Sequence, residues 1–180
     1  TDYINFDKDN VIAVRVDATQ YEGWFYEGAG IYRHVWLNKY NNLHIAQDGV
    51  FAYSDIQGNK ATVTIETTVQ NNDLVSSNGN IIAYLTDKAG NIIAKAKDAL
   101  VSLNANGTST VKQTVIVNNS HLWSIDDPYL YGVNTEIRSN GKLIDQQTLR
   151  LGIRKIEIKT NGVFLNGKHV KLFGTNNHQD

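Results

Sequence analysis

The chain has 180 residues, 41% of them hydrophobic and 19% charged, which fits a globular protein and argues against extensive disorder. The formal net charge of −1 gives no basis for a nucleic-acid or anionic-membrane partner, and no apolar run approaches the roughly 20 residues of a spanning helix. The sequence contains no cysteine, so disulfides, thiolate metal sites and thiol nucleophiles are excluded. Because a lack of cysteine fits any redox compartment, localisation stays open, a periplasmic or secreted bacterial location included.

The N-terminal segment, residues 1–48, has the pattern of an incomplete β domain. We expect strands at Asn10–Asp17 and Gly30–Leu37, joined by a loop rich in aromatic residues and glycine. Two or three strands are marginal as an independent unit. Residues 1–48 are therefore predicted to be the end of a preceding domain.

The loop between these two strands has features of a sugar-binding loop. Glu22 and Glu27 flank Trp24 and Tyr26, and carboxylates beside aromatic rings are common where proteins bind sugars. A purely structural role for the loop is the alternative interpretation.

The middle of the chain predicts short antiparallel strands. The clearest is Ala61–Asn71, where inward residues alternate with polar ones at a period of two. Further strands are predicted at Ile81–Asp87, Asn91–Leu100, Ser109–Val117, Tyr129–Arg138 and Lys142–Leu151. Turn signals separate them at Asn78-Gly79, Ala89-Gly90-Asn91, Asn106-Gly107 and Asn140-Gly141. No stretch predicts a helix, so the fold class is all-β, with an immunoglobulin-like β-sandwich over residues 49–156 flanked by partial β segments.

The connection before the strand at Tyr129 contains groups with two possible roles. Trp123 is large enough to plug one end of the sandwich, and a ligand platform is the alternative. Asp126 and Asp127 look like paired carboxylates, but Asp-Asp-Pro is also ordinary turn chemistry.

The C-terminal segment, residues 157–180, combines a hairpin with a polar cluster. Asn166-Gly167 is typical of a two-residue hairpin turn, and an apolar strand with Val170, Leu172 and Phe173 is predicted to end at Gly174. Polar residues follow at its carboxyl end, where α/β folds build sites. They are Asn176, Asn177, His178 and Asp180. We interpret this segment as the beginning of a further domain of a larger enzyme.

The remaining histidines give no metal signal. His34, His44, His121 and His169 lie at no recurrent metal-ligand spacing and are interpreted as surface or hydrogen-bonded residues. Nucleotide-binding and nucleophile-elbow motifs are also absent from the sequence. We expect neither a metal nor a cofactor.

Three motifs, in order, resemble glycoside hydrolase family 2. Gly28–Leu37 is similar to the end of that family's sugar-binding-like jelly roll. Leu122–Tyr131 together with Leu151–Arg154 resembles the later half of its immunoglobulin-like domain. Phe164–Lys168 followed by Gly174–Asp180 resembles the entry to its TIM barrel. The sequence of this last motif is most similar to the β-galactosidase branch, although β-glucuronidases and β-mannosidases share the architecture.

The resemblance implies a retaining β-glycosidase, which uses two carboxyl groups about 5 Å apart. In the family both are glutamates on later barrel strands, beyond Asp180, so no catalytic residue is expected in this chain. His178 and Asp180 match the family's barrel-entry His-x-Asp, whose side chains reach the sugar. The alternative is that both contact nothing in this chain.

Two functional hypotheses follow. The first is a non-catalytic, structural part of a β-galactosidase-like enzyme, whose partners are the parent chain's other domains and, in the full-length enzyme, a carbohydrate substrate. The second is a stand-alone carbohydrate-binding or adhesion module. Neither involves nucleic acid or a membrane, and exposed edge strands make self-association a further expectation.

Overall fold

The computed structural model describes residues 3–17, 30–31 and 33–176, and all regular structure in these residues is β. The chain divides into two compact units, Thr1–Asn38 with Gly174–Asp180, and Lys39–Phe173. The strands formed by the described residues all lie in the second unit. They are β1 Leu43–Gln57, β2 Lys60–Asn71, β3 Ser77–Thr86, β4 Ile92–Lys95, β5 Ala99–Leu103, β6 Thr108–Asn118, β7 Tyr131–Ser139, β8 Lys142–Leu151, β9 Ile156–Lys159, β10 Gly162–Leu165 and β11 Lys168–Val170. The all-β prediction is confirmed.

Two antiparallel sheets form the sandwich. The first has the order β1-β2-β6, and the second has the order β4-β3-β7-β8 with β5 also paired to β3. Strand β2 shows why this sequence forms a sandwich, because its inward residues Ala61, Val63, Ile65 and Val69 are all fully buried. Fully burying such an aliphatic side chain contributes about 1.5–3 kcal/mol, so the period-two pattern fixes which face is the core.

The core lies between the two sheets in two clusters. The larger joins Val63 and Ile65 of the first sheet to Leu85 and Val133 of the second. The smaller joins Ile45 and Val69 to Ile81 and Ile137, among others. Packing of this kind, without a disulfide, confirms the immunoglobulin-like sandwich inferred from the strand spacing.

The sequence does not predict strand β1, in part because a bulge interrupts the regular alternation of its side chains. Its register with β2 shifts between Ile45 and Val50, where Asp48 has a φ of 53°. The amide of Ile45 donates to the Asp145 carboxylate of β8 at 2.8 Å. Because β1 is an outer strand of the first sheet, this hydrogen bond joins its open edge to the second sheet.

The predicted strand Asn91–Leu100 is two strands instead of one. β4 and β5 both pair with β3, and Ala96 lies between them with its amide bonded to Ala83 O at 2.8 Å. The buried amide of Gln113 donates to Lys97 O at 2.7 Å and to Ile81 O at 3.3 Å. The side chain therefore satisfies carbonyls at the point where the strand breaks.

The predicted turn at Asn78-Gly79 is also wrong, because both residues lie inside β3. A Cβ on Gly79 would lie 3.0 Å from the Ile137 side chain and 3.4 Å from that of Leu43. This glycine serves close packing instead of chain reversal.

The strands predicted at Asn10–Asp17 and Gly30–Leu37 are not formed in the parts of these segments that the structure describes. Val11 and Ile12 are 91% and 84% exposed. Alternating apolar residues form a strand only where a neighbouring strand completes the hydrogen-bond ladder and covers the apolar face.

A third small sheet, in the order β11-β10-β9, follows the sandwich. The Asn166-Gly167 hairpin predicted from the sequence is present, with β10 and β11 on its two sides. The strand after the turn ends at Val170, earlier than predicted, and Leu172 and Phe173 are 74% and 85% exposed. β9 was not predicted, because four residues carry too short a pattern.

Candidate functional site

The predicted sugar-contacting residues His178 and Asp180 lie outside the described residues, as does Asn177. The loop residues Trp24 and Glu22 lie outside them too. Their roles stay predictions. The region leading to His178 and Asp180, which is the third sheet and its junction with the sandwich, is therefore the described part of the candidate site.

The turn of the third sheet has the geometry that its sequence predicts. Asn166 and Gly167 have φ values of 51° and 78°, and the flanking residues Leu165 and Lys168 pair with each other. Both central residues thus lie in the left-handed region, as in a type I′ hairpin turn. Asparagine and glycine are the residues that accept this conformation at least cost.

Asn166 also fastens the third sheet to the sandwich. Its side-chain oxygen accepts a hydrogen bond from Lys155 N at 2.9 Å, and its backbone amide donates to Lys155 O at 2.8 Å. Its side-chain amide donates to Trp123 O at 2.9 Å. The sequence predicted Asn166 only as a turn residue, because nothing in the Asn-Gly pair indicates which backbone groups its side chain would meet.

Trp123 lies against the end of the sandwich, as the plugging interpretation requires. Its amide donates to Ile153 O at 2.8 Å, and the guanidinium of Arg154 lies 4.7 Å from the ring centroid. A Cβ on Gly152 would come within 2.8 Å of the indole. Glycine at 152 lets the ring lie directly on the backbone, and these contacts indicate a packing role for Trp123.

Asp126 and Asp127 are part of a turn. Asp127 N donates to the Ser124 hydroxyl at 3.0 Å, and Ser124 N donates to Asp127 O at 2.9 Å. The Asp127 carboxylate lies 2.5 Å from His121 Nε2. With one carboxylate held by a histidine, the structural interpretation of the pair is favoured over a pair of catalytic acids.

His121 and its neighbours form a stacked group at this end of the sandwich. The imidazole stacks on Tyr129 with ring centroids 4.2 Å apart, and its backbone amide donates to the Tyr131 hydroxyl at 2.8 Å. Burial raises the pKa of Tyr131 above 10.0, so this phenol stays protonated. His121 is therefore a hydrogen-bonded surface histidine, as expected from the sequence.

His169 has a similar structural role on the third sheet. It lies edge-on to Phe164, at 5.4 Å between centroids. A Cβ at Gly162 would lie 2.5 Å from its Nε2. The ring is thus packed over glycine on the neighbouring strand, where a larger residue would displace it.

A cleft of about 620 Å³ lies between the connection and the third sheet. Leu122, Leu165 and Val170 supply apolar surface, and Asp126, Lys168 and His169 supply polar groups, among the residues that line it. The described residues contain no cluster of three or more potential metal ligands. Nor does the described part contain a helix able to cross a membrane.

Comparison with known proteins connects the chain to a family of enzymes. The family model for glycosyl hydrolases family 2 matches residues 43–154. The chain is 33% identical over 183 residues to the β-galactosidase BoGH2A of Bacteroides ovatus, covering 100% of this chain and 21% of that protein. It is 28% identical to a β-glucuronidase of Formosa agariphila, over 97% of this chain and 20% of the relative.

Solved structures agree with the sequence relatives. The β-glucuronidase of Bacteroides uniformis matches with a TM-score of 0.78 and 28% identity, over 92% of this chain and 21% of that one. The chain therefore spans about a fifth of the length of these relatives. Since the matched segment is more than half of its residues, the chain belongs to glycosyl hydrolases family 2.

Proposed function

We propose that this chain is a non-catalytic part of a retaining β-glycosidase, in which the sandwich acts as a structural spacer. The sandwich, whose first strand begins at Leu43 instead of near residue 49, would connect the end of a jelly-roll domain that precedes it to the beginning of a TIM barrel, residues 157–180. Membership of glycosyl hydrolases family 2 carries this proposal. The hydrogen bonds of Asn166 to Trp123 and Lys155 support it, because they hold the barrel-entry hairpin on the sandwich.

The glutamates that the structure describes support a non-catalytic role. Glu66, Glu136 and Glu157 lie in three different sheets. Each also lies near a cation: Glu66 is 3.0 Å from Lys112, Glu136 is 2.7 Å from Arg138, and Glu157 is 3.4 Å from Lys159. A retaining glycosidase needs two carboxyl groups about 5 Å apart across one sugar, and residues in separate sheets do not suit that task.

For the full-length enzyme we propose β-galactosides as substrates. Two relatives that are 33% and 31% identical to this chain are β-galactosidases, and one that is 28% identical is a β-glucuronidase. The identities differ little, so β-glucuronides are the competing substrate class. In either case His178 and Asp180 would hydrogen-bond sugar hydroxyls, the carboxylate more strongly.

The proposal is tested by assaying two proteins on two substrates. The 180-residue chain should hydrolyse neither an aryl β-galactoside nor an aryl β-glucuronide, whereas the full-length gene product should hydrolyse the first with the higher kcat/KM. Turnover by the chain alone would contradict the non-catalytic role. A full-length enzyme that prefers the glucuronide would overturn only the substrate assignment.

A binding experiment distinguishes the stand-alone carbohydrate-binding alternative. Calorimetric titration of the chain with galactose and oligosaccharides should give no saturable heat if the sandwich is a spacer. Specific binding that is lost in Trp24→Ala would favour the alternative, with the loop around Trp24 as the platform.

A further inference from the structure

The sequence contains several Asn-Gly pairs, the dipeptide in which an asparagine side chain is most open to attack by the next backbone nitrogen. Glycine has no Cβ to obstruct that approach. The pairs begin at Asn78, Asn106, Asn140, Asn161 and Asn166. The structure places them in different environments, which allows their reactivity to be ranked.

Three pairs are restrained through the backbone. Asn78 and Gly79 lie in β3 and pair with β5. The amide of Gly107 donates to Asn104 O at 3.0 Å, so the nitrogen that would attack Asn106 is already held in a hydrogen bond. Gly162 is the first residue of β10 and pairs with Lys159 of β9.

The other two pairs occupy turns with matching geometry. Asn140 and Gly141 have φ values of 50° and 76°, against 51° and 78° for Asn166 and Gly167. In each turn the two residues lie between the last paired residues of the two strands. These are Ser139 and Lys142 in the first turn, and Leu165 and Lys168 in the second. Backbone conformation therefore does not separate the two asparagines.

Their side chains are held very differently. The Asn166 amide is half-buried, its oxygen bonded to Lys155 N at 2.9 Å and its nitrogen to Trp123 O at 2.9 Å. The Asn140 side chain is exposed and makes no hydrogen bond to any residue within the described ranges. Of these two asparagines, Asn140 is the one whose Cγ is free to turn toward the following backbone nitrogen.

We propose that Asn140 is a site of spontaneous deamidation and that Asn166 is protected from the same reaction. The deprotonated Gly141 nitrogen attacks Asn140 Cγ, the Cγ–Nδ2 bond breaks, and ammonia leaves with a proton to give a five-membered succinimide. Water then opens the ring at either carbonyl, giving aspartate or isoaspartate. One water is consumed and one ammonia is released, with no redox change.

The product would alter this end of the sandwich. A new carboxylate appears two residues from Arg138, which already pairs with Glu136 at 2.7 Å. The isoaspartyl form also adds a backbone methylene to a two-residue turn, whose length sets the β7–β8 register.

The test compares both asparagines within one sample. The folded 180-residue chain is incubated in mildly alkaline buffer, digested, and analysed by fragmentation that distinguishes isoaspartate from aspartate. Conversion at Asn140 should be at least roughly tenfold faster than at Asn166, since two hydrogen bonds must break before Asn166 can react. In urea the two rates should become similar, because the protecting contacts are gone.

Two outcomes would overturn the proposal. One is conversion of Asn166 in the folded chain at a rate equal to that of Asn140 or greater. The other is conversion of Asn140 in urea but not in the folded chain. An Asn140→Gln variant should lose conversion at this position, because the longer side chain would need a less favourable six-membered ring.

Discussion

Asn166 shows how one residue can serve a turn and a junction between sheets at once. Its positive φ is a local requirement, visible in the sequence as an Asn-Gly pair. Its bonds to Lys155 and Trp123 are tertiary, and they connect residues up to 43 positions apart. Turn chemistry could therefore be predicted from the sequence, whereas the junction depends on how the connection and the hairpin meet in space.

Replacing Asn166 by glycine separates the two roles. Glycine keeps the turn accessible, so the expected loss is that of two side-chain hydrogen bonds, one exposed and one partly buried, about 1–3 kcal/mol in the stability of the third sheet. Hydrogen exchange of the amides in residues 156–170 measures that local stability.

The matched control is Asn140→Gly in the β7–β8 turn. Since the Asn140 side chain makes no hydrogen bond among the described residues, this variant should change stability by no more than about 0.5 kcal/mol. Equal losses in the two variants would show that the Asn166 bonds contribute nothing beyond turn formation.

Strands with long alternating patterns could be predicted from the sequence, and strands shaped by tertiary contacts could not. The sequence predicts β2, β6 and β8 with nearly correct bounds. β2 and β6 repeat a period-two pattern over at least ten residues, and β8 alternates from Asp145 to Leu151. β1 has a bulge, β9 has four residues, and the segment between β4 and β5 is hydrogen-bonded by Gln113 from another strand. The motifs identified the family correctly, although His178 and Asp180 remain predictions.

Gln113 is expected to stabilise the break between β4 and β5. In Gln113→Ala, Lys97 O and Ile81 O lose a buried donor, which should cost about 1–3 kcal/mol in the free energy of unfolding. Urea denaturation followed by circular dichroism measures the loss. Thr114→Ala, on the exposed face of the same strand, should stay within about 0.5 kcal/mol, and a comparable loss there would assign the effect to β-propensity.

At the scale of the whole molecule, the third sheet presents apolar side chains at an open edge. β9 is an outer strand, and its Ile156 and Ile158 are 57% and 84% exposed. Exposed apolar edge strands favour pairing between copies. We infer that this edge is where the isolated chain would self-associate.

Ile158→Lys tests the edge directly. A charge there should shift the chain toward monomer in sedimentation velocity, with little change in stability because the side chain is already exposed. Leu74→Lys is the control, since Leu74 is 83% exposed but lies between strands. Monomerisation by the control variant alone would place the contact elsewhere.

The strand order of the sandwich has a consequence for dividing the chain. Strand β6 belongs to the first sheet, although in sequence it lies between β5 and β7, which both belong to the second sheet. A single cut anywhere from β2 to β7 therefore splits at least one sheet between two fragments. The shortest contiguous piece that keeps both sheets whole runs from β1 to β8, residues 43–151, so any trimmed version must retain that entire interval.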